Sequence, residues 1–306
     1  VTSFAPKPNR QGFMISAILP RFYRQRYLLQ FIEYAGERVT KIDLQKLLFL
    51  AQQQGKANYF DFVPYHYGCY SFQAAHDLEI LEKTGWIRTT KNDIQLQQSV
   101  DRDGFTKKGE KAEIRRFFNE HKRLRGTRLI KYVYERFPYY ATKSKIAYQI
   151  MDKPPALEKY GDGETLYTLG YEGRSFEAFV NRLIKNGINV LCDVRKNPLS
   201  RKFGFSKGVM ARLLPCLDIS YIHIPELGIV SSQRIDLRVP SDYDELFITY
   251  KKSLPSKVKF VSIIHDLIDK KKNVALTCYE HEPRFCHRSH VAGFIEKKYS
   301  VNVNHL

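Results

Sequence analysis

The apolar positions of this chain follow two regimes. Up to about residue 150 they recur mostly at helical spacing; beyond residue 165, short unbroken apolar runs alternate with helical stretches. Leu28, Phe31, Ile32 and Ala35 form one face of a helix predicted over residues 21–35, with Arg21, Arg24 and Arg26 elsewhere on its surface and Gly36 at its end. Thr40 followed by Asp43 resembles a capping box and opens a second helix, which buries Leu44, Leu47, Leu48 and Ala51. After a loop, residues 63–70 are dense in aromatics. Ser71 then caps a third helix running to Lys83, and Gly85 stops it. Residues 86–97 read as two short strands about a turn, 105–125 as a helix rich in Lys and Arg, and 127–137 as one more short helix. Three helices, a β-hairpin and a trailing helix make the order of a mainly α winged helix-turn-helix.

The second half reads differently. Strands are predicted over 166–171, 189–194, 219–224, 273–278 and 301–305, with helices over 176–186, 243–270 (broken at Pro255) and 291–298. Strand, helix and strand in succession imply a crossover and hence a mostly parallel, Rossmann-like α/β sheet. The expected division is an arm at 1–20, a winged-helix-like nucleic-acid-binding domain at 21–152, a linker at 153–164 and an α/β domain at 165–306. Lys153-Pro154-Pro155 and Gly161-Asp162-Gly163 bracket the linker.

Charge sharpens the picture. The chain carries a formal net charge of +18. Lys and Arg outnumber Asp and Glu by 12 in residues 1–155 (27 against 15) and by 6 in residues 156–306 (23 against 17). An excess concentrated in the first half points to a polyanion, with DNA as the expected partner and a homodimer through the winged domain as a further possibility. The third helix holds His76, Asp77, Glu79 and Glu82 with only Lys83 as a cation, a composition unsuited to phosphate. Contacts to the nucleic-acid backbone are therefore assigned to Arg88, Lys91, Lys107, Lys108, Arg115, Arg116, Arg123 and Arg125. Tyrosines and lysines interleaved over 138–146 could stack on an unpaired base or be buried. Five cysteines, no ordered signal-peptide regions and no apolar run near about 18 residues lead to the expectation of a cytoplasmic protein without membrane contact.

Chemistry concentrates near the end of the chain. The strand ending at Cys278 runs into a loop with Glu280, His281, Glu282, Arg284, Cys286, His287 and Arg288, and the carboxyl ends of parallel strands are where such sheets bind ligands. The same edge should hold Tyr171, Gly173, Asp193, Arg195 and His223. Leu169-Gly-Tyr-Glu-Gly-Arg-Ser175, Asp193-Val-Arg195, Pro198-Leu-Ser-Arg201, Gly204-Phe-Ser-Lys207, His223-Ile-Pro-Glu-Leu-Gly228 and Cys278-Tyr-Glu280 with Cys286-His287-Arg288 resemble the family known as domain of unknown function 488. The resemblance implies a compact α/β domain with a polar site and, in longer members, a winged-helix-like extension. It supplies no established reaction, and associates the chain with DNA modification, repair or phage defence.

Three chemistries fit the loop. Cys278 and Arg284 have the Cys-x5-Arg spacing of a phosphatase loop, but Glu280 and Glu282 would repel a phosphate. Cys278, His281, Cys286 and His287 offer the atoms for zinc, although the favoured reading has no metal or other cofactor. In that reading Asp193, Glu280, Cys286 and His287 are the catalytic set. Tyr171, Gly173, Arg195, Arg201, His223 and Arg288 then bind the substrate or its phosphate. The alternative makes Asp193–Arg195 and Glu280–Arg288 structural ion pairs and Cys286 packed core. The functional expectation is a DNA-binding protein whose α/β domain cleaves a nucleotide, modified base or strand by hydrolysis or glycosidic cleavage. A ligand-sensing regulator with a noncatalytic phosphate pocket is the rival.

Overall fold

The computed structural model describes residues 19–55, 57–100, 104–156, 163–234 and 239–306. The arm expected at 1–20 falls largely outside them, as does the middle of the linker expected at 153–164. In chain order the first elements are α1 (Tyr23–Gly36), β1 (Arg38–Thr40), α2 (Lys41–Gln54), β2 (Val63–Tyr65), β3 (Gly68–Tyr70), α3 (Phe72–Lys83), β4 (Ile87–Thr89), β5 (Asp93–Leu96), α4 (Glu110–Glu120), α5 (Gly126–Arg136) and α6 (Ala147–Ile150). Then follow β6 (Thr165–Gly170), α7 (Phe176–Lys185), β7 (Val190–Asp193), α8 (Lys207–Leu213), β8 (Ser220–His223), α9 (Pro240–Ser253), α10 (Val258–Asp269), β9 (Val274–Cys278), α11 (His287–Tyr299) and β10 (Asn302–His305). The chain forms two compact units, one of residues 1–44 and 76–122, the other of 45–75 and 123–306. The second unit thus takes in two segments that the sequence reading grouped with the N-terminal domain.

In the first unit β1, β5 and β4 form an antiparallel sheet in that order, so β1 joins a hairpin that the sequence had as two strands alone. Phe31 of α1 packs against Phe117 and Phe118 of α4. Two acidic residues of α3 are used internally. Asp77 is fully buried and takes a bidentate bond from Arg24 (2.6 and 3.2 Å), and Gln25 adds another at 2.9 Å. Glu82 accepts from the Thr89 backbone and hydroxyl, both at 2.8 Å. Arg24 is therefore an internal partner of α3, where periodicity put it simply on the surface.

The helix expected over 105–125 is shorter than its composition suggested. Phe105 is buried against Trp86, Gly109 adopts φ +90°, and α4 starts only at Glu110 and ends at Glu120. Arg123 and Arg125 stand in the turn before α5, within the second unit.

The second unit is built on a five-stranded, wholly parallel sheet of order β10-β6-β9-β7-β8. Its inner strands β7 and β9 are short, fully buried runs because both faces are covered, while the edge strands β8 and β10 are more polar and partly exposed. Alternate residues of β9 separate accordingly. Val274 and Leu276 pack with Phe247, Ile264, Val291 and Ile295 of α9, α10 and α11, while Ala275 packs with Phe179, Leu183 and Met210 of α7 and α8. From β6 the chain moves across the sheet towards β7, and from β9 it moves the other way to β10. The carboxyl ends of β6 and β9 thus flank a topological switch point, the place where open α/β sheets bind ligands.

The segments 45–75 and 123–152 join this unit through α7. Asn181 donates to the Phe62 carbonyl (2.7 Å) and accepts from Tyr139 (2.8 Å), while Ser175 donates to Asp61 (2.6 Å). Tyr139 is thus a packing residue at this point. Glu177 takes bonds from Ser71 Oγ (3.2 Å) and the Gln73 amide (2.8 Å), yet its buried Oε2 has no partner among the described residues. Burial pushes this carboxyl up to about 7, despite those bonds pulling it down. A folded value above the unfolded one gives a stability contribution that is complete below about pH 4.5 and lost as pH rises through 7. The loss is roughly 3 kcal/mol. Glu177→Gln should flatten this part of the pH profile; denaturant unfolding at pH 5 and pH 8 measures it, and an unchanged profile would refute the assignment.

Among the described residues no helix is long and apolar enough to cross a membrane.

Candidate active site

Register brings the second unit's chemistry to one edge. Asp193, the last residue of β7, pairs with Thr277 of β9, and Gly170, the last of β6, pairs with Cys278. The chain after each strand therefore leaves on the same side of the sheet. Gly170 is required there, because a Cβ would sit 1.8 Å from the Glu280 carbonyl oxygen. The loop after β9 lies directly over the end of β6.

At that edge a cleft of about 470 Å³ is lined by Tyr171, Arg195, Lys196, Arg201, Arg234, Cys278, Tyr279, Glu280 and His287, among others. Tyr171, Arg195, Arg201, Glu280 and His287 were expected. Asp193, Cys286, Arg288, His223 and Gly173 do not line it.

Asp193 is wholly buried. Its carboxylate accepts from Arg195 Nε (2.8 Å), Arg195 Nη2 (2.5 Å), the Arg195 amide (3.1 Å) and the Tyr221 hydroxyl (2.7 Å). With every acceptor direction engaged, Asp193 holds Arg195 in place and has no free lone pair for proton transfer. Arg195 is also fixed by the Tyr171 hydroxyl (2.8 Å) and the Phe205 carbonyl (2.9 Å). Burial would push its guanidinium down, but Asp193 and Tyr171 raise it, so it is permanently charged. Tyr171 stacks on Phe205 at 4.2 Å, and burial pushes its hydroxyl up. His223 bonds the Arg195 carbonyl at 2.9 Å and secures the backbone.

Arg288, expected to bind substrate or phosphate and in the alternative reading to pair with Glu280, does neither in the fold. Arg288, fully buried, donates to the main-chain carbonyls of Glu280 and His281, so it shapes the loop after β9. The Glu280 carboxylate pairs with Arg234, 46 residues earlier. Burial works to raise the Glu280 carboxyl, but Arg234 and a bond from Cys286 hold it below its ordinary value. Arg234 escaped the sequence reading because it lies in an unassigned stretch after the third strand; position past a strand's carboxyl end was the only signal. Lys196 had a plainer one, since it follows Arg195 directly.

The polar heart of the cleft is a thiol–imidazole pair. Cys278 Sγ lies 3.3 Å from Glu280 Oε2 and 3.7 Å from His287 Nδ1. His287 Nε2 lies 2.9 Å from the Val194 carbonyl, which can only accept. Nε2 therefore carries the proton in the neutral ring, and Nδ1 turns its lone pair to Cys278. Cys286 touches Cys278 from the buried side, where burial and that thiol push it well up. Cys278, Cys286 and His287 have their ligand atoms within 4.8 Å of one another. His281 stands apart, exposed and bonded to Arg174 at 2.9 Å, so the four-ligand set anticipated for zinc does not assemble.

Comparison with known proteins adds one finding. Residues 175–295 match the family described as domain of unknown function DUF488. No curated protein and no solved structure matches the chain. The DUF488 match runs from the cap of α7 to α11, so it covers Asp193, Arg195, Arg201, Glu280, Cys286 and His287, while Tyr171 and the N-terminal segments lie outside it.

Proposed function

We propose that this is a nucleic-acid-binding protein whose parallel-sheet unit hydrolyses a bond in a nucleotide, modified base or nucleic-acid strand. The observation that carries the reading is the cleft itself. Arg195, Arg201, Arg234 and Lys196 supply positive charge around one acid–base group, the Glu280 carboxylate, at a switch point of the sheet. Guanidinium groups suit phosphate, and among the described residues Arg201 has no ion-pair partner, which leaves it available to a substrate.

The N-terminal elements support a winged-helix reading: helix, strand, helix, the short β2–β3 hairpin, a third helix, a second hairpin paired to the first strand, and a trailing helix. Arg88, Lys91, Lys107, Lys108, Arg115 and Arg116 are exposed in that unit. In the full chain, duplex DNA affinity should fall steeply with salt, with log K losing roughly 0.9 per decade for each phosphate neutralised. Joint replacement of Arg88, Lys91, Arg115 and Arg116 by Gln should weaken binding across sequences alike and flatten that slope. Fluorescence anisotropy over a salt series tests it; unchanged affinity at low salt removes these residues from the interface. The hydrolytic part is tested by incubating the full chain with nucleotides, single-stranded and duplex DNA and separating products by mass. Ligand-dependent DNA affinity without any product would favour the regulator instead.

A further inference from the structure

The cluster on the buried side of the cleft has a property that acid–base chemistry leaves unused. Two thiols and an imidazole converge there, all nearly inaccessible: Cys278 and Cys286 are 1% exposed and His287 is 2% exposed. Thiols packed only as core need no imidazole lone pair turned towards them. This one is aimed at Cys278 by the hydrogen bond from Nε2 to Val194. A metal-ligating histidine is held in the same way, its second nitrogen bonded to a backbone carbonyl that fixes tautomer and ring direction.

We propose that Cys278, Cys286 and His287 bind one divalent ion of the zinc class, with Sγ, Sγ and Nδ1 as ligands and a fourth position facing the cleft. The separations suit it. Tetrahedral zinc with bonds of about 2.3 Å to sulfur and 2.0–2.1 Å to nitrogen places neighbouring ligand atoms roughly 3.6–3.8 Å apart. Cys278 Sγ and His287 Nδ1 are 3.7 Å apart, and the whole trio falls within 4.8 Å. Two thiolates and a neutral imidazole balance the charge of a divalent ion, as burial requires. Soft sulfur ligands select zinc over magnesium or calcium.

The ligands come from two elements that the fold already presses together. Cys278 ends β9; Cys286 and His287 stand at the start of α11. Arg288, one residue further, ties the intervening loop down through the Glu280 and His281 carbonyls. Cys278 and His287 line the cleft, so the open position faces it. Glu280 Oε2 lies 3.3 Å from Cys278 Sγ, while its other oxygen is held by Arg234. That carboxylate is placed to take a proton from a water bound at the fourth position, the pairing by which metal hydrolases make a nucleophile near neutral pH. The metal site stands on its own geometry; its use in hydrolysis rests on the function proposed above.

The test begins with the wild-type full chain, stripped with a chelator and reloaded with zinc or cobalt(II). Elemental analysis should give about one ion per chain. Cobalt should produce thiolate-to-metal charge-transfer absorption and the intense visible bands of a tetrahedral site. Cys286→Ser should weaken zinc binding by more than the roughly 10–100-fold that loss of an outer partner costs. Cys216→Ser, at an exposed thiol, should leave binding unchanged. Failure of wild-type protein to take up either ion, or cobalt uptake without the thiolate band, overturns the proposal even if Cys286→Ser does not fold. Metal bound without turnover of any nucleic-acid substrate would leave the site standing and sink only the hydrolytic reading. Turnover that persists in metal-free protein would overturn only the metal's part in hydrolysis.

Discussion

Asp193→Ala should destabilise the parallel-sheet unit by about 3–5 kcal/mol, the cost of removing one partner from a buried ion pair. Arg195 would keep its charge at 6% exposure, with the Tyr171 hydroxyl and the Phe205 carbonyl as its remaining oxygen partners. The Tyr221 hydroxyl would lose its acceptor as well. Asp193→Asn keeps the shape and part of the bonding but leaves the charge uncompensated, so it should fall between wild type and alanine. Replacing both partners by apolar residues, Asp193→Leu with Arg195→Met, should recover much of the stability because no charge is then stranded. The same double variant should lose affinity for anions in the cleft. Urea unfolding of the four proteins measures the first effect, and phosphate or nucleotide binding the second. A loss below about 1 kcal/mol in Asp193→Ala would mean that the pair is not the support described here.

Glu280→Gln should reduce turnover by about 10²–10⁴-fold, the usual contribution of a positioned acid or base. The amide keeps the size of the side chain and can still bond Arg234 through its oxygen, so the cleft should hold its form. What disappears is the capacity to accept a proton. The loss should therefore appear in kcat with little change in KM, and DNA retention should be intact because the basic residues assigned to it lie elsewhere in the chain. Single-turnover and steady-state rates on whichever substrate yields product provide the measurement. Undiminished kcat would exclude Glu280 as the proton-transfer group. Arg234→Ala makes a useful companion, since it removes the charge that holds Glu280 below its ordinary value. In that variant the acid limb of the pH–rate profile should move to higher pH.

Much of this molecule was legible in its sequence, for a local reason. Helices and strands answer to periodicity, caps and breakers within a few residues. The patterns over 176–186, 189–194 and 273–278 accordingly became α7, β7 and β9 within a residue or two at each end. Because parallel strands put their carboxyl ends on one edge, the placement of Asp193, Tyr171 and Cys278 together also followed. Partnership did not. Asp193 and Arg195, two residues apart, could equally have opened towards a ligand; Tyr221 and the Phe205 carbonyl decided that they close on each other. Arg288 was expected to bind phosphate, or in the alternative reading to pair with Glu280, yet the fold turns Arg288 to main-chain carbonyls and brings Arg234 to the carboxylate. Residues 45–75 and 123–152 look N-terminal in order, but their contacts with Ser175, Glu177 and Asn181 make them part of the parallel-sheet unit. Periodicity records what a residue's neighbours in sequence require of it. Which charge meets which, and which segment covers which face, depends on groups tens of residues away, and only the packed sheet and its helices bring them within reach.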